Sequence, residues 1–374
     1  MWPVIFYIFT GFVLINCCFY AYLSRFCLSK TPNKSNEKHA QRPLSILVCA
    51  RNEASNLAEN IPVLLQQQYP NFEILLINDA STDATAAIID DFAAQNFHVR
   101  AIHIKNTERP INGKKYALRK GIEAARYNHL LFIDADCRPI SHFWAQEMAQ
   151  GFGAKKQIVL GYGSYQHLDQ SWLNKIIRYE TALTAIQYFG YAKHGNAYMG
   201  VGRNLGYTKS LFNAHNGFSA HATIPSGDDD LFVNTSATVT NVSCVYSPQA
   251  FTVSRPKTTW SDWFWQKSRH TSVAHLYKTK HQLSLGLFYS SQLFTYIFAV
   301  FLLFSTVFST FSLFIFLVRY LFVGCILYAG MRKLKEKDLI YWFPALEFFL
   351  VLSQLSIFIT TITPTTISWK NNRT

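Results

Sequence analysis

Charge is missing from three long stretches of this 374-residue chain: residues 1–24, 282–318 and 348–369 hold no Asp, Glu, Lys or Arg. Apolar runs of that length argue against a purely soluble protein, because a helix of about 20 apolar residues is what crosses a bilayer. Paired cysteine motifs are missing too. The seven cysteines (17, 18, 27, 49, 137, 244 and 325) contain no C-x-x-C. That argues against a disulfide framework and a zinc site, and leaves buried free thiols in a reducing compartment. No G-x-G-x-x-G follows the first apolar run and no G-x-x-x-x-G-K-[ST] occurs, which argues against dehydrogenases and P-loop enzymes. No internal repeat or low-complexity tract is visible. Acidic residues are the scarcer charges, 22 against 35 Lys and Arg, for a net charge of +13. Much of that excess flanks the apolar stretches or lies in 255–281, so anionic lipid headgroups, and not nucleic acid, are the expected partner.

What is present divides into spans and a soluble middle. Spanning helices are predicted at about 3–23, 286–306, 310–330 and 340–362. Segment 1–24 reads as an anchor: it has no basic n-region and no small-x-small cleavage site. Arg25, Lys30, Lys34, Lys38 and Arg42 follow it against a single Glu37, and Arg332–Lys337 is also basic. The positive-inside bias places both flanks, and the middle of the chain, in the cytoplasm. The expected setting is a bacterial inner membrane. Arg319 interrupts the third span. It serves either a polar path through the membrane or a pairing with Glu347 of the fourth span. The domain plan is therefore an N-terminal span (1–24), a basic linker (25–43), a soluble domain (44–258), an amphipathic interfacial segment (259–282), three spans (283–365) and a tail (366–374).

The soluble part alternates short apolar runs with helical stretches. Ser45–Ala50, Glu73–Asn78, Val99–Ile104 and His129–Asp134 read as strands; Ala54–Gln68, Ala84–Gln95 and Lys115–Arg126 read as helices between them. Such alternation means βαβ units and a mostly parallel sheet. The strand ends are polar: Arg51-Asn52-Glu53, Asn78-Asp79 and Asp134-Ala-Asp136. Ligands of open α/β sheets bind at that edge. Two carboxylates one residue apart repel unless a cation lies between them, although D-x-D alone also suits a helix cap and a solvated turn.

Five motifs occur in order: Cys49-Ala-Arg-Asn-Glu53, Asn78-Asp-Ala-Ser-Thr-Asp83, Asn112-Gly-Lys-Lys115 with Ala117-Leu118, Asp134-Ala-Asp136, and Gly227-Asp-Asp-Asp-Leu231. Together they resemble a family 2 glycosyltransferase. The resemblance covers about 43–275 and implies an α/β domain of GT-A type, a Rossmann-like mixed and mostly parallel sheet, flanked by transmembrane helices as in the membrane-integrated members. It implies a donor site at Ala50, Asn52, Glu53 and Asp79, with Asp79 receiving a base N–H. Lys114 would neutralise a diphosphate if it is not simply solvated. Asp134 would lie near the ribose, and Asp136 would ligate Mg²⁺ or Mn²⁺. Ser81 and Asp83 are expected to serve a turn and a helix N-cap. Aligning Leu231 makes Asp228 the catalytic base, with Asp229 as fallback. Gly227 stands where the family usually has Glu, a variation familiar from hyaluronan-synthase-like members.

Gly202-Arg203-Asn204, with Tyr207 and Lys209, resembles the acceptor-side loop, and Arg203 is expected at phosphate or acceptor. Trp260, Trp263 and Phe264 fall at i, i+3, i+4 on one face of an interfacial helix. Gln266 and Arg269 match the Q-x-x-R-W motif of processive synthases, for an acceptor-side and a diphosphate contact. His270 replaces its Trp, which puts stacking and processivity in doubt. The implied function is inverting, metal-dependent sugar transfer from a UDP- or GDP-sugar to a lipid-linked glycan or growing polysaccharide. Four spans are few for an export channel, which a homo-oligomer or membrane partner protein would have to complete. The rival from another class is an inactive scaffold on the same fold, which would be expected to lose Asp136 or the base carboxylate; neither is lost.

Overall fold

The computed structural model describes residues 1–30, 42–105, 113–224 and 226–362. The chain begins with helix α1 (Trp2–Cys27) and then enters an alternating stretch. This comprises β1 (Leu44–Ala50), α2 (Ala54–Leu65), β2 (Phe72–Asp79), α3 (Thr85–Gln95), β3 (Val99–Ile104), α4 (Gly113–Ala124) and β4 (His129–Phe132). Mostly shorter elements follow, apart from the long α6: β5 (Cys137–Pro139), α5 (Trp144–Ala149), β6 (Ile158–Leu160), β7 (Gly163–Tyr165), α6 (Trp172–Lys193), β8 (Leu205–Thr208), α7 (Lys209–Ala214), α8 (Asp230–Ser236), β9 (Val242–Cys244) and β10 (Thr252–Ser254). Four helices close the described chain: α9 (Trp260–Thr271), α10 (Thr279–Leu302), α11 (Phe308–Lys333) and α12 (Phe343–Ile362). The residues form two compact units. One is helical and comprises 1–30, 170–191 and the chain from Thr259 on; the other is α/β and comprises the described residues from 42 to 169 plus 192–258.

The α/β unit holds a seven-stranded sheet in the order β3-β2-β1-β4-β8-β6-β9 and a three-stranded sheet in the order β5-β10-β7. β1 pairs in parallel with both β2 and β4, while β8 runs antiparallel to β4 and β6. β2 is buried along its whole length and β1 nearly so, as strands covered by helices on both faces must be. Leu57, Ile61 and Leu64 of α2 pack on Ile46, Val48 and Leu76 in one core with Trp144 and Met148 of α5. The sheet winds outward from β1 in both directions, so a crevice opens beyond the C-terminal ends of β1 and β4. On the other face of the sheet Gly121 of α4 is held by size, because a Cβ there would lie 2.2 Å from Ile77.

Among the described residues, four helices of the helical unit are long and apolar enough to cross a membrane: Trp2–Cys27, Thr279–Leu302, Phe308–Lys333 and Lys337–Ile359. Each overlaps an expected span; the second begins earlier, at Thr279, within the stretch read as interfacial. Arg319 of α11 is buried and paired with Glu347 of α12, Nη1 to Oε2 at 2.6 Å and Nη2 to Oε1 at 2.5 Å. Asn16 Oδ1 of α1 accepts from Arg319 Nε and Nη2 at 3.0 and 2.9 Å. Gln292 and Tyr296 of α10 donate to the two oxygens of Glu347. The pairing alternative for Arg319 is the one the structure adopts. In α9, the rings of Trp260 and Trp263 pack on Phe349 of α12, and Lys267 pairs with Glu180 of α6 at 2.9 Å. The seven cysteines are all free. Asn112, most of the expected linker and the tail 366–374 lie outside the described residues.

Candidate active site

Three strand ends and two helix N-termini converge on a cleft in the α/β unit. It is lined by Leu47 and Cys49 of β1, Lys114 and Leu118 of α4, Phe132, Ile133 and Asp134, Gly202, Leu205 and Tyr207, and Asp228 and Asp229.

The end of β1 is welded to the end of β2. Ala50 is buried as the last residue of β1. Asn52 adopts a left-handed backbone, φ 53°, which Asn tolerates better than most residues. Its N–H donates to Ser81 Oγ at 3.0 Å and its Oδ1 accepts the Thr82 N–H at 2.8 Å. The Glu53 N–H donates to Thr85 Oγ1, and its carboxylate accepts from Asn56 Nδ2. Asp83 does not cap α3 as expected, for Ala84 holds the N-cap position. One residue earlier, its carboxylate accepts the N–H groups of Thr85 and Ala54 and so joins the two loops. Asp79 ends β2 fully buried. Burial pushes its carboxyl up to about 6, against a smaller lowering by Arg51.

Asp134 and Asp136 follow β4. Their carboxylates and Cys137 Sγ all lie within 4.8 Å of one another. Loss of hydration in the crowded cleft, then the neighbouring Asp134, push Asp136 above the usual carboxylate range, although the residue is exposed at the rim. A divalent cation would relieve that strain, and two carboxylates are the hard oxygen donors Mg²⁺ and Mn²⁺ take. Burial raises the Cys137 thiol well above its ordinary value. It therefore stays a thiol, donating to Asp136 Oδ1 at 3.2 Å and contacting Ser254 Oγ at 2.8 Å. Its chemistry here is to orient Asp136, a role the sequence did not reveal because β10 supplies Ser254 from far along the chain.

Asp228 faces the same cleft. Burial opposes its charge, but Lys114 at 3.1 Å outweighs burial and holds the carboxyl below the usual range. Lys114 Nζ also lies 3.2 Å from Asp134 Oδ1. Asp229 is spent differently: it caps α8, its Oδ1 accepting the Asp230 N–H at 2.7 Å and its Oδ2 the Gly202 N–H at 2.6 Å. With both oxygens engaged by backbone, Asp229 fits the helix start; both carboxylates line the cleft, and Asp228 is the one paired with Lys114. Gly227 has a local cause. Its φ is +90°, and a Cβ would lie 2.4 Å from Leu231 Cδ1, so a Glu there would be strained.

Behind this loop, Lys115 Nζ donates to His221 O at 2.8 Å. Burial lowers Lys115 to about 8 and, with Lys115 adding to it, His221 to about 4. Sequence reasoning passed over both.

Arg203 stacks on the Tyr165 ring, 4.3 Å to its centroid, and donates to Ser164 O and Ser254 Oγ. That places it behind the Asp136–Cys137 pair. Asn204 departs from the acceptor-side expectation. It is fully buried, its Nδ2 donating to Tyr162 O and Ala250 O and its Oδ1 accepting from Trp144 Nε1, so its amide is consumed by the core. Lys209 likewise donates to the carbonyls of Glu123 and Ala125 at the end of α4, a helix C-terminus that favours a cation. Gln266 and Arg269 lie half-buried on α9 of the helical unit.

Comparisons with known proteins bear on the family and the fold. The family model described as Glycosyl transferase family 2 matches residues 45–214. The chain is 28% identical to a poly-beta-1,6-N-acetyl-D-glucosamine synthase of Staphylococcus epidermidis over 124 residues, 33% of this chain and 29% of that protein. It is 33% identical to glycosyltransferase GlyG of Streptococcus pneumoniae over 25% of this chain and 30% of that one. A third relative, 32% identical, is a 4,4'-diaponeurosporenoate glycosyltransferase of Staphylococcus aureus, matched over 25% of this chain and 24% of its own. The matches thus span about a third or less of these relatives' lengths. Among solved structures, a mannosyltransferase of Pyrobaculum calidifontis, in complex with GDP-Man and Mn²⁺, superimposes with a TM-score of 0.58 at 15% identity, over 89% of this chain and 99% of that one. Residues 45–214 of this chain therefore match the family 2 glycosyltransferase model, and the fold is of the GT-A type seen in that mannosyltransferase.

Proposed function

We propose that the chain is an inverting, metal-dependent glycosyltransferase. It moves a sugar from a UDP- or GDP-sugar to a lipid-linked glycan or growing polysaccharide at the cytoplasmic face of a bacterial membrane. The observation that supports this is a set of carboxylates: Asp134 and Asp228 line one cleft, Asp136 lies beside Asp134 with ligand atoms within 4.8 Å, and Asp79 ends the neighbouring β2.

Asp79, when ionised, accepts an N–H of the nucleobase. Asp134 and Asp136 would hold Mg²⁺ or Mn²⁺, which supplies positive charge to the donor diphosphate when bound. Lys114 adds a second cation for the same phosphates. Asp228 takes the proton of the acceptor hydroxyl. That oxygen forms a bond to the anomeric carbon while the bond from this carbon to the phosphate oxygen breaks on the opposite face. The electron pair leaves with the nucleoside diphosphate, and the configuration inverts.

A processive reading is favoured by the S. epidermidis relative, a polymer synthase by name, and opposed by His270 in place of the motif's Trp. Purified full chain given a panel of nucleotide sugars, with Mn²⁺ or with EDTA, tests the function. Release of nucleoside diphosphate from one donor, abolished by EDTA, is expected; no release from any donor would refute it. Product length separates single addition from polymerisation.

A further inference from the structure

The site is already occupied by a charge of its own. Lys114, on the first turn of α4, places one ammonium between Asp134 and Asp228, 3.2 and 3.1 Å from their oxygens. The surrounding wall is largely apolar: Leu47, Leu118, Phe132 and Tyr207. The Lys114 side chain is only 19% exposed, so little water competes for it. Each carboxylate it touches has a separate duty in the proposed reaction, metal binding beside the donor for Asp134 and proton acceptance for Asp228.

We propose that Lys114 is an internal counter-ion that keeps the donor-free site closed. This rests on the glycosyltransferase reading above. While it bridges the two carboxylates, Lys114 puts a positive charge where a bare divalent cation would have to bind. It also keeps Asp228 paired and a poor proton acceptor. A diphosphate offers the ammonium several anionic oxygens at once. Lys114 exchanges its carboxylate contacts for these, and the same movement frees Asp134 for the metal and Asp228 for the acceptor. No proton moves in this exchange; one ion pair replaces another. The consequence is an order of events: metal and nucleotide enter together, and the base is released only once a donor is in place.

The test reads metal binding without turnover. Mn²⁺ is titrated into the detergent-solubilised full chain, and free Mn²⁺ is followed by electron paramagnetic resonance, with and without UDP or GDP. Wild type should bind Mn²⁺ weakly alone and more tightly with nucleotide. Lys114→Met should bind Mn²⁺ alone about tenfold or more tightly than wild type, the scale on which one neighbouring charge shifts a carboxylate's affinity for a cation. Lys114→Arg keeps the charge and should stay weak; Lys114→Gln serves as a second neutral variant should the Met variant misfold. Equal nucleotide-free Mn²⁺ affinity in wild type and both neutral variants would overturn the proposal. If wild type nevertheless turns over a nucleotide sugar, the glycosyltransferase reading survives that result. If no donor is turned over and Mn²⁺ never binds, both fall.

Discussion

Two cation–carboxylate groups, one fully buried in the helical unit and one partly buried in the α/β unit, differ in how completely they are satisfied. Arg319 and Glu347 face each other with parallel bonds of 2.5 and 2.6 Å, Asn16 accepts from two further guanidinium N–H groups, and Gln292 and Tyr296 donate to the two Glu347 oxygens. The group is saturated and spread over α1, α10, α11 and α12. In the α/β unit a single Lys114 is divided between Asp134 and Asp228, with Asp136 crowded alongside. That group has more negative than positive charge and opens on a cleft. A saturated pair resists exchange and fixes helix positions; an under-compensated one invites a cation and an anionic ligand. Burial alone would have ranked both as functional. The tally of unspent oxygens tells them apart.

Three substitutions sharpen this contrast. Asp228→Asn should lower kcat by about 10²–10⁴-fold, the usual worth of a general base. It should leave the thermal midpoint nearly unchanged, because Lys114 keeps Asp134. Steady-state kinetics and a melting curve on one preparation check both. The opposite pattern belongs to the helical unit. Arg319→Leu strands Glu347 in an apolar bundle and should cost about 3–5 kcal/mol of stability. Arg319→Leu combined with Glu347→Leu should recover most of that loss in denaturation measurements. If the double variant is as unstable as the single one, the pair is more than a structural tie.

The smallest effect concerns Asp79. Its carboxyl ionises at about 6 in the fold against 3.8 free. Between those values the native state holds a proton the unfolded chain has released, so this group's contribution to stability falls as pH rises through that window. Donor affinity should move the other way, because only the ionised carboxylate accepts a base N–H. Titration of UDP and GDP binding by calorimetry should show tighter binding as pH rises through about 6, by roughly tenfold per unit below that value. Asp79→Asn should flatten the profile.

The half of the fold with regular periods was legible in the sequence. Val99–Ile104 was read with the bounds the structure has, and β1 and β2 within one residue. β1 and β2 are buried on both faces, so they read as continuous apolar runs bounded by polar ends; β3, at the sheet edge, is only partly buried. Beyond residue 136 the strands are mostly three residues long, too short for any period to show. Candidate site residues could be picked from the sequence where a motif meets a strand end, at Asp79, Asp134 and Asp136, and where one meets a helix start, at Asp228; the roles given to them are proposed. The site was not legible where partners arrive from distant segments. Cys137 gains its role from Ser254, Lys115 from His221, and Asn204 loses its expected one to Trp144, Tyr162 and Ala250. Asp228 and Asp229 show the limit most sharply. Adjacent and chemically identical, they are separated only by which backbone N–H groups the fold turns toward them.

The central claim is a single displacement at the anomeric carbon, with Asp228 as base. Its most direct test is proton NMR of the first product formed from an α-linked nucleotide sugar, recorded before any anomeric exchange. The account predicts a β-linked product. An α-linked product would contradict it, because retention requires a second displacement that a lone base at Asp228 does not provide.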